Sequence, residues 1–156
     1  MTANNDTSAK LRAACLRLLA RREHSGYELK QKLLGKGFDS LDIDKTLAEF
    51  AEQGWQNDQR FAESYARHRM NQGFGPVAIS YELRQKGIES MDLDSLVAVE
   101  AGDWQTVLLQ TYQKKYPEEA TLSRTDWSKR YRFLLQRGFP AQMLNQLPKQ
   151  LAIKIV

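Results

Sequence analysis

LRQKGI, residues 83–88, has two counterparts in the chain: LLGKGF at residues 33–38 and LLQRGF at residues 134–139. Each hexapeptide contains a leucine, two further residues, a basic residue, a glycine and a large apolar residue. A glycine after a helix can adopt the left-handed conformation that closes a Schellman motif. The leucine and the last apolar residue then make the hydrophobic contact of that motif. Each hexapeptide therefore predicts the end of a helix.

The spacing of the hexapeptides predicts an internal repeat. Gly37, Gly87 and Gly138 lie 50 and 51 residues apart, and SLDID at residues 40–44 precedes SMDLD at residues 90–94 by 50 residues. In both of the latter segments the serine is expected to cap a helix whose first turn holds the aspartates. The chain of 156 residues accommodates three such units. The expected fold class is all-α, with three tandem three-helix repeats forming an elongated, curved array.

The predicted organisation is a disordered N-terminus at 1–8 followed by three-helix repeats at 9–55, 56–103 and 104–156. Helix starts are marked by the capping box that begins at Ser25, by Asp58 as a cap and by Pro76 at a first helical position. No strand is expected, and Pro148 should interrupt or bend the last helix. The helices are expected at about 9–23, 26–36, 41–53, 59–72, 76–86, 91–101, 104–115, 126–137 and 141–152.

The composition argues against catalysis. Cys15 is the single cysteine, so an intramolecular disulfide is excluded, and its helical spacing with leucines predicts a buried thiol. His24 and His68 cannot complete a zinc ligand set of ordinary spacing. Phosphate-loop, dinucleotide-binding and nucleophile-elbow motifs are absent from the sequence. We expect no enzymatic activity, no metal, no cofactor, no membrane span, no signal peptide and a cytoplasmic location.

Charge follows the predicted repeat. Residues 10–36, 60–88 and 114–137 carry net charges of +6, +3 and +4, whereas residues 39–58 and 89–103 each carry −5. First and second helices are therefore basic, and third helices are acidic in the first two repeats. Two interpretations stay open. The charges form ion pairs between solvated helix faces, or a basic side of the array attracts a charged partner.

Several basic and aromatic residues stand apart from the predicted apolar stripes. On helix 59–72, Arg60 and Arg67 point outward, whereas Arg69 continues the apolar stripe and either pairs with Glu82 or faces a partner. On helix 76–86, Tyr81 and Arg84 lie away from the core.

The stripe of helix 126–137 contains Trp127, Tyr131, Leu134 and Leu135. Phe133 is left among bases, where it can stack on a nucleobase, fill a pocket on a protein or pack on a neighbouring repeat. The candidate partner- or DNA-binding residues are Arg60, Arg67, Arg69, Tyr81, Arg84, Lys86, Lys129, Arg130, Arg132, Phe133 and Arg137.

The motifs together resemble the RecX family of bacterial regulatory proteins. The matching segments cover roughly residues 10–150, and GFGP at residues 73–76 is the most specific of them when followed by the helix that ends at Ile88. The other matching residues are Ser25, Glu28, Leu29, Lys32, Leu33, Asp58, Arg60, Phe61, Ala62, Glu82, Leu83, Lys86, Gly87, Arg132, Phe133, Leu134, Leu135, Arg137, Gly138 and Phe139.

The resemblance implies tandem three-helix repeats and a regulator of the RecA recombinase. Members of the family bind RecA, especially its filament on single-stranded DNA, and inhibit strand exchange and the DNA-dependent ATPase, with consequences for DNA repair and the SOS response. Some also bind single- or double-stranded DNA weakly, and no cofactor is implied. We expect a monomer. A stand-alone helical DNA- or RNA-binding module is the alternative, and a structural scaffold for an unrelated acidic partner is a third interpretation.

Overall fold

A computed structural model describes residues 2–156 of the chain, with side chains from residue 5 onward. The part of the chain that it describes forms nine helices and two short strands, so the all-α expectation is confirmed. In chain order they are α1 (Thr2–Arg21), α2 (Gly26–Gly35), α3 (Ser40–Glu52), α4 (Asp58–Asn71), α5 (Pro76–Gln85), α6 (Leu93–Glu100), α7 (Trp104–Lys115), β1 (Thr121–Leu122), α8 (Arg124–Gln136), α9 (Ala141–Gln150) and β2 (Lys154–Ile155).

The chain divides into two compact units. Unit 1 consists of Met1–Ser64 and Leu83–Glu89, and unit 2 consists of Tyr65–Glu82 and Ser90–Val156. In unit 1, α1, α2 and α3 pack against one another around a buried cluster of Leu11, Ala14, Cys15, Leu18, Leu29, Leu33, Ile43 and Phe50. In unit 2, α9 packs against α7 and α8, and the buried residues include Leu108, Tyr112, Leu134, Phe139, Leu144 and Leu147.

Cys15 is a core residue, as its spacing predicts. The thiol is free and fully buried in unit 1. Burial raises its pKa to about 11, although the charge of Arg12 acts in the opposite direction. The thiolate is therefore disfavoured, and the residue behaves as a small apolar side chain.

The three hexapeptides end helices as predicted. Gly37, Gly87 and Gly138 have φ of 92°, 83° and 92°. In each case the residue after the glycine donates its N–H to the carbonyl of the hexapeptide's leucine, over 3.3, 2.9 and 3.3 Å respectively. The glycine donates to the next carbonyl along the helix at 3.0 to 3.1 Å. These are the two hydrogen bonds of the Schellman motif.

Three predicted N-caps are wrong by one to two residues. Asp39, not Ser40, caps α3 by accepting the N–H groups of Leu41 and Asp42. Asp92, not Ser90, caps α6 by accepting the N–H of Ser95. The third correction concerns α4, where Asn57 Oδ1 accepts the N–H of Arg60 at 2.9 Å. Asp and Asn cap helices as well as serine does, so the sequence pattern left the choice ambiguous.

The carboxylate expected to cap α4 has another role. Asp58 Oδ1 accepts hydrogen bonds from the Gly26 N–H and from Gln56 Nε2, both at 2.9 Å. Gly26 is the first residue of α2, so Asp58 satisfies the start of a different helix in unit 1. The Ser25 capping box is confirmed, with Ser25 Oγ accepting the N–H of Glu28 and the Glu28 carboxylate accepting the N–H of Ser25. The start of α5 at Pro76 is also confirmed.

The expectation of no strand is wrong. Thr121–Leu122 pairs in parallel with Lys154–Ile155 in unit 2. Segments of two residues carry no alternating pattern, so a pairing across this sequence separation leaves no local signal. Pro148 does not interrupt α9, which continues to Gln150. Near its end, Ile153 donates to the Pro148 carbonyl at 2.9 Å and Ala152 adopts a positive φ of 55°.

The N-terminal segment differs from the expectation of disorder at residues 1–8. The first helix begins at Thr2, and Asp6 and Lys10 form an ion pair of 3.2 Å one helical turn apart. Such pairs stabilise a helix by a few tenths of a kcal/mol, about 0.2–0.5. Met1 lies outside the described residues.

Candidate functional site

Cations and aromatic rings alternate through unit 2. The residues, in the order in which they contact one another, are Arg69, Phe74, Arg137, Phe133, Lys115, Tyr116, Arg130 and Tyr112. We refer to these eight residues as the cation–aromatic row. Each cation–π contact contributes roughly 0.5–1 kcal/mol when exposed and about 2 kcal/mol when desolvated. The row therefore contributes to the fold of unit 2 as well as presenting charge.

The first half of the row is fixed by an ion pair. The Arg69 guanidinium donates from Nε and Nη2 to the two carboxylate oxygens of Glu82 at 3.0 and 2.6 Å. Hydrogen bonding to Glu82 raises the pKa of Arg69 and outweighs the opposing effect of burial. Arg69 Cζ also lies 3.6 Å from the centroid of the Phe74 ring. The pairing of Arg69 with Glu82, one of its two interpretations, is therefore observed.

Arg137 joins the two halves of the row. Its Cζ lies 4.5 Å from the Phe74 centroid and 5.0 Å from the Phe133 centroid, and its Nη1 donates to the Gln72 carbonyl at 3.0 Å. Arg137 is also the C-cap of α8. These contacts mean that replacing Arg137 would disturb the fold of unit 2 as well as remove a charge.

The second half of the row begins at Phe133. Lys115 Nζ lies 3.4 Å from the centroid of the Phe133 ring, and the Tyr116 ring meets Phe133 edge-on with centroids 6.2 Å apart. Arg130 lies 4.5 Å from the Tyr116 centroid and donates to Tyr112 Oη at 2.7 Å. Burial raises the pKa of the Tyr116 hydroxyl, with the charge of Arg130 acting against it. Phe133 is thus half-buried among cations, as predicted.

Arg130 was predicted to lie on the surface, but its side chain is largely buried and hydrogen-bonded. Its Nη2 donates to Glu119 at 2.9 Å, and its side chain is 13% exposed. Burial alone would lower its pKa, but the hydrogen bonds to Glu119 and Tyr112 outweigh that effect and raise it. Arg130 therefore has a structural role in unit 2.

The GFGP segment, between α4 and α5, holds the start of α5 against the end of α8 and so brings Phe74 and Arg137 of the row together. The Gly75 N–H donates to the Arg137 carbonyl at 2.8 Å, and the Val77 N–H donates to the Gly138 carbonyl at 3.0 Å. The end of α8 thus caps the start of α5. A Cβ on Gly75 would lie 2.5 Å from the Gly138 carbonyl oxygen, so this approach requires glycine.

A basic pocket of about 300 Å³ opens beside the row. It lies where α4, α7 and α8 end, and residues that line it include Asn71, Gln72, Lys114, Lys115, Phe133 and Arg137. Among the described residues, none of those lining it is acidic. We refer to it as the basic pocket.

A second part of the α8 surface is also basic. Lys129 and Arg132, one helical turn apart, are exposed, and no hydrogen bond or ion pair joins either side chain to another described residue. Leu135 follows on the same helix and is 46% exposed, so its predicted burial is wrong. Trp127 and Tyr131 are half-buried, and Leu134 alone of the predicted stripe is fully buried. We refer to Lys129, Arg132 and Leu135 as the outer face of α8.

Arg60 and Lys86 form structural contacts in unit 1. Arg60 donates to Glu23 at 2.6 Å and to the carbonyls of Gly54 and Trp55 after the end of α3. Lys86 Nζ lies 3.3 Å from a carboxylate oxygen of Glu28. Both side chains therefore stabilise unit 1.

The remaining predicted residues are separated from the row. In unit 2, Arg67 pairs with Glu100 at 2.8 Å, and Tyr81 is 57% exposed. Arg84 of unit 1 is exposed, and among the described residues no hydrogen bond or ion pair is made by its side chain. The structure thus brings Arg69, Arg130, Phe133 and Arg137 into one row and leaves the others elsewhere.

Ion pairs between helices explain part of the charge pattern. Arg12 of α1 pairs with Glu49 of α3 at 2.7 Å, and Lys30 of α2 pairs with Asp44 of α3 at 2.8 Å. The Arg67–Glu100 pair joins α4 to α6 in the same way. Basic first and second helices therefore pair with the acidic third helix of their own repeat, so this interpretation is confirmed for three residue pairs.

Sequence reasoning missed Lys114, Lys115 and Phe74. The signal was present, because a Lys-Lys-Tyr sequence ends α7 and a phenylalanine lies between the glycines of GFGP. Lysines in a last helical turn are ordinarily explained by the helix dipole, however, and a single aromatic residue by the core. Only the convergence of three helix ends gives these residues a common location.

The described residues include no group of three or more histidines, cysteines or carboxylates able to hold a metal ion. None of the helices in that part of the chain has the length and apolarity needed to cross a bilayer.

Family models for the first, second and third three-helix domains of RecX match residues 12–50, 57–94 and 103–147, respectively. The first two matches fall inside the first two predicted repeats, and the third begins one residue before the third predicted repeat. Together they confirm three three-helix domains in tandem. The prediction of the exact repeat boundaries remains untested by these matches.

Curated relatives match along most of the chain. The regulatory protein RecX of Legionella pneumophila (strain Corby) is 39% identical over 137 residues, which cover 88% of this chain and 91% of the relative. The regulatory protein RecX of Pseudomonas entomophila (strain L48) is 35% identical over 147 residues, covering 94% and 95%. The crystal structure of RecX from Lactobacillus salivarius matches with a TM-score of 0.71 at 21% identity, covering 94% of this chain and 97% of that one, and supports the fold.

Proposed function

The chain belongs to the RecX family of regulatory proteins, and on this premise we propose that it regulates the RecA recombinase. In this proposal it binds RecA and the RecA filament on single-stranded DNA and inhibits recombinase, strand-exchange and ATPase activity. It thereby modulates DNA repair and the SOS response in the cytoplasm, as a monomer without a cofactor or an enzymatic activity of its own. The observation that carries the proposal is the match of all three family domains in order along one chain.

The outer face of α8 is the surface that we propose for contact with the recombinase. Lys129 and Arg132 are exposed cations without a partner among the described residues, and Leu135 adds an exposed apolar side chain between them and the helix end. An exposed apolar side chain beside an arginine and other polar groups is typical of a protein-binding surface. Neither cation is needed for an ion pair of the fold, so both are available to acidic groups of a partner.

The ATPase of a preformed RecA filament on single-stranded DNA tests the proposal. Titrating this protein should lower the ATPase rate at concentrations well below one molecule per DNA-binding site. Lys129→Glu with Arg132→Glu should remove the inhibition while circular dichroism and melting stay those of the wild type. The matched control is Glu52→Lys with Glu89→Lys, which changes two exposed carboxylates and should leave inhibition intact.

The basic pocket supports the alternative of a stand-alone nucleic-acid-binding module. The same titration separates the two functions. A protein that merely sequesters DNA must be present in proportion to the DNA, and added single-stranded DNA restores the ATPase. Its effect should also fall steeply with salt, in proportion to the phosphates it neutralises. Inhibition that persists with excess DNA supports a recombinase regulator, and inhibition that disappears overturns that proposal.

A further inference from the structure

The basic pocket has the size and chemistry of a ligand site. Its volume is about 300 Å³, at the lower end of the range of small-molecule sites, which begins at about 300 Å³. Two lysines and one arginine line it together with the polar residues Asn71 and Gln72. Phe133 supplies an aromatic ring.

The cations exceed what the local helix ends require. The pocket lies at the C-terminal ends of α4, α7 and α8, each of which carries about half a negative charge. Three full positive charges therefore leave an excess of about 1.5 in a lining without an acidic residue among those described. Lys114 and Lys115 have no ion-pair partner in the described part of the chain, and one donor of Arg137 is used by the Gln72 carbonyl. The lining of the pocket therefore carries a net positive charge, which favours an anion.

We propose that the basic pocket binds one nucleotide of a single-stranded nucleic acid, with the phosphate on Lys114, Lys115 and Arg137 and the base on Phe133. In the free protein, Lys115 Nζ lies over the Phe133 ring, 3.4 Å from the ring centroid. A phosphate that attracts Lys115 exposes the ring on which a base can stack. Binding would thus replace the cation–π contact between Lys115 and Phe133 with two others. Lys115 would contact the phosphate, and the base would stack on Phe133.

The aromatic ring favours a nucleotide over an acidic peptide. A carboxylate would use the three cations but would leave uncovered the ring face from which Lys115 has moved, with only Arg137 and Tyr116 still beside Phe133. Duplex nucleic acid offers phosphates, but its bases are stacked on one another and cannot reach Phe133. The inference rests on the proposed function in bringing the protein to single-stranded DNA, and it assigns a direct DNA contact to unit 2.

Binding of a fluorescein-labelled thymidine oligonucleotide, followed by anisotropy without any recombinase, tests the site. Lys114→Ala with Lys115→Ala should weaken binding about tenfold or more, the loss expected for charge-assisted contacts. The salt dependence of log affinity should become shallower by about 0.7 for the phosphate no longer neutralised. Arg17→Ala with Lys45→Ala removes the same charge from exposed positions of unit 1 and should change the affinity less than about twofold.

Phe133 is tested by comparing the oligonucleotide with an abasic strand of the same length. Wild type and Phe133→Tyr should prefer the strand with bases by about fivefold or more, the lower bound for stacking of a base on an aromatic ring. Phe133→Leu should bind both strands alike. A melting curve establishes that each variant is folded, and the exposed lysine pair tests the site even if the Phe133 variant is unstable.

Three outcomes would overturn the proposal. Equal losses for the two double-alanine variants would show a diffuse positive field without a site. Equal competition by polyglutamate and by oligothymidine would assign the pocket to an acidic protein. Equal affinity of the wild type for abasic and base-containing strands would remove Phe133 from the interaction. Because RecA is absent, oligonucleotide binding can be observed even if the chain fails to inhibit the filament, so the two proposals fail separately.

Discussion

Gly87 in unit 1 and Gly138 in unit 2 end their helices with the same hydrogen bonds but face different neighbours. A Cβ on Gly87 would lie 2.6 Å from Cβ of Tyr27, the second residue of α2. A Cβ on Gly138 would lie 2.5 Å from the backbone nitrogen of Ala78 in α5. Both glycines therefore let a helix end approach the start of another helix. The nearest atom is a Cβ in both units. Gly138 additionally meets the backbone nitrogen and Cα of Ala78, whereas the other close atoms at Gly87 belong to the Tyr27 ring.

Gly37 completes the comparison because it has the same local structure without the neighbour. Its φ is 92°, yet no heavy atom lies within 4 Å of the position that a Cβ would take. The hexapeptide thus encodes a left-handed helix end in all three repeats, and close approach to another helix is an additional property of two of them. Substituting alanine at each glycine separates the two contributions.

Gly138→Ala should have the largest effect. The left-handed conformation costs a residue with a Cβ about 1–2 kcal/mol, and overpacking adds about 1–3 kcal/mol. Because Ala78 backbone cannot move away, we expect a loss of about 3–5 kcal/mol. Denaturant unfolding measures the loss, and hydrogen exchange should accelerate in residues 65–82 and 90–156. A change below about 1 kcal/mol would mean that α5 and α8 separate freely.

Gly87→Ala should cost less, about 2–4 kcal/mol, because an added Cβ would meet only Tyr27 side-chain atoms and no backbone of the neighbouring helix. Faster hydrogen exchange should be concentrated in residues 1–64 and 83–89. Combining Gly87→Ala with Tyr27→Gly removes the clash and should recover the overpacking part of the loss. If the combination recovers nothing, the backbone conformation of Gly87 accounts for the whole effect.

Acid should destabilise unit 1 through protonation of Glu28, which pairs with Lys86 near the helix end at Gly87. This is the next largest expected effect. Burial alone would raise the pKa of Glu28, but hydrogen bonds from Arg22 and the Ser25 N–H and the charges of Lys86 and Arg22 lower it to about 2. The stabilisation is therefore complete above the ordinary pKa of 4.5 and is lost as the pH falls from there to about 2. Partial exposure of Arg22 screens the interaction, so we expect a loss of about 2 kcal/mol.

A pH series of urea unfolding curves measures this loss. Glu28→Gln should be less stable at neutral pH, because Arg22 and Lys86 lose their carboxylate, and should lose less stability between pH of about 4.5 and 2. Glu52→Gln, on an exposed residue, should follow the wild type. Parallel pH profiles for wild type and Glu28→Gln would contradict the assignment.

His24 adds a second acid-dependent contribution at higher pH. Burial is the main reason that the pKa of His24 lies below its ordinary value of 6.5, with Arg22 and Lys32 adding positive charge. A lowered histidine pKa means that stability is complete above about 6.5 and declines as the pH falls below it. His24→Gln should make the free energy of unfolding less dependent on pH below about 6.5, as measured by the same series of urea unfolding curves.

The helix ends were predictable from sequence because they depend on neighbours in the chain. The helix ends at Gly37, Gly87 and Gly138 could be predicted from the hexapeptides alone. The burial of Cys15 could be predicted from its helical spacing with leucines. The caps of α3 and α6 were misassigned because an aspartate lies within two residues of the serine and caps a helix equally well. In these regions the local rule was right and the uncertainty was one or two residues.

The candidate site was predictable in part, because it depends on contacts between distant segments. Phe133 and Arg137 were recognised from one helix, but their partners Phe74 and Lys115 come from other parts of the chain. The strand pair of Thr121–Leu122 and Lys154–Ile155 was missed for the same reason. The periodicity of a single sequence indicates which residues share a helix face. It does not indicate which faces pack against each other.

Gly37→Ala should have the smallest effect of the three glycine substitutions. The added methyl group meets no atom within 4 Å, so the left-handed conformation alone contributes, at about 1 kcal/mol. Gly37→Asn should cost still less, because asparagine tolerates this conformation better than alanine does. Urea midpoints for both variants, measured beside Gly87→Ala and Gly138→Ala, give the order. A loss at Gly37 equal to that at Gly138 would show that backbone conformation, and not the neighbouring helix, sets the cost at every one of these helix ends.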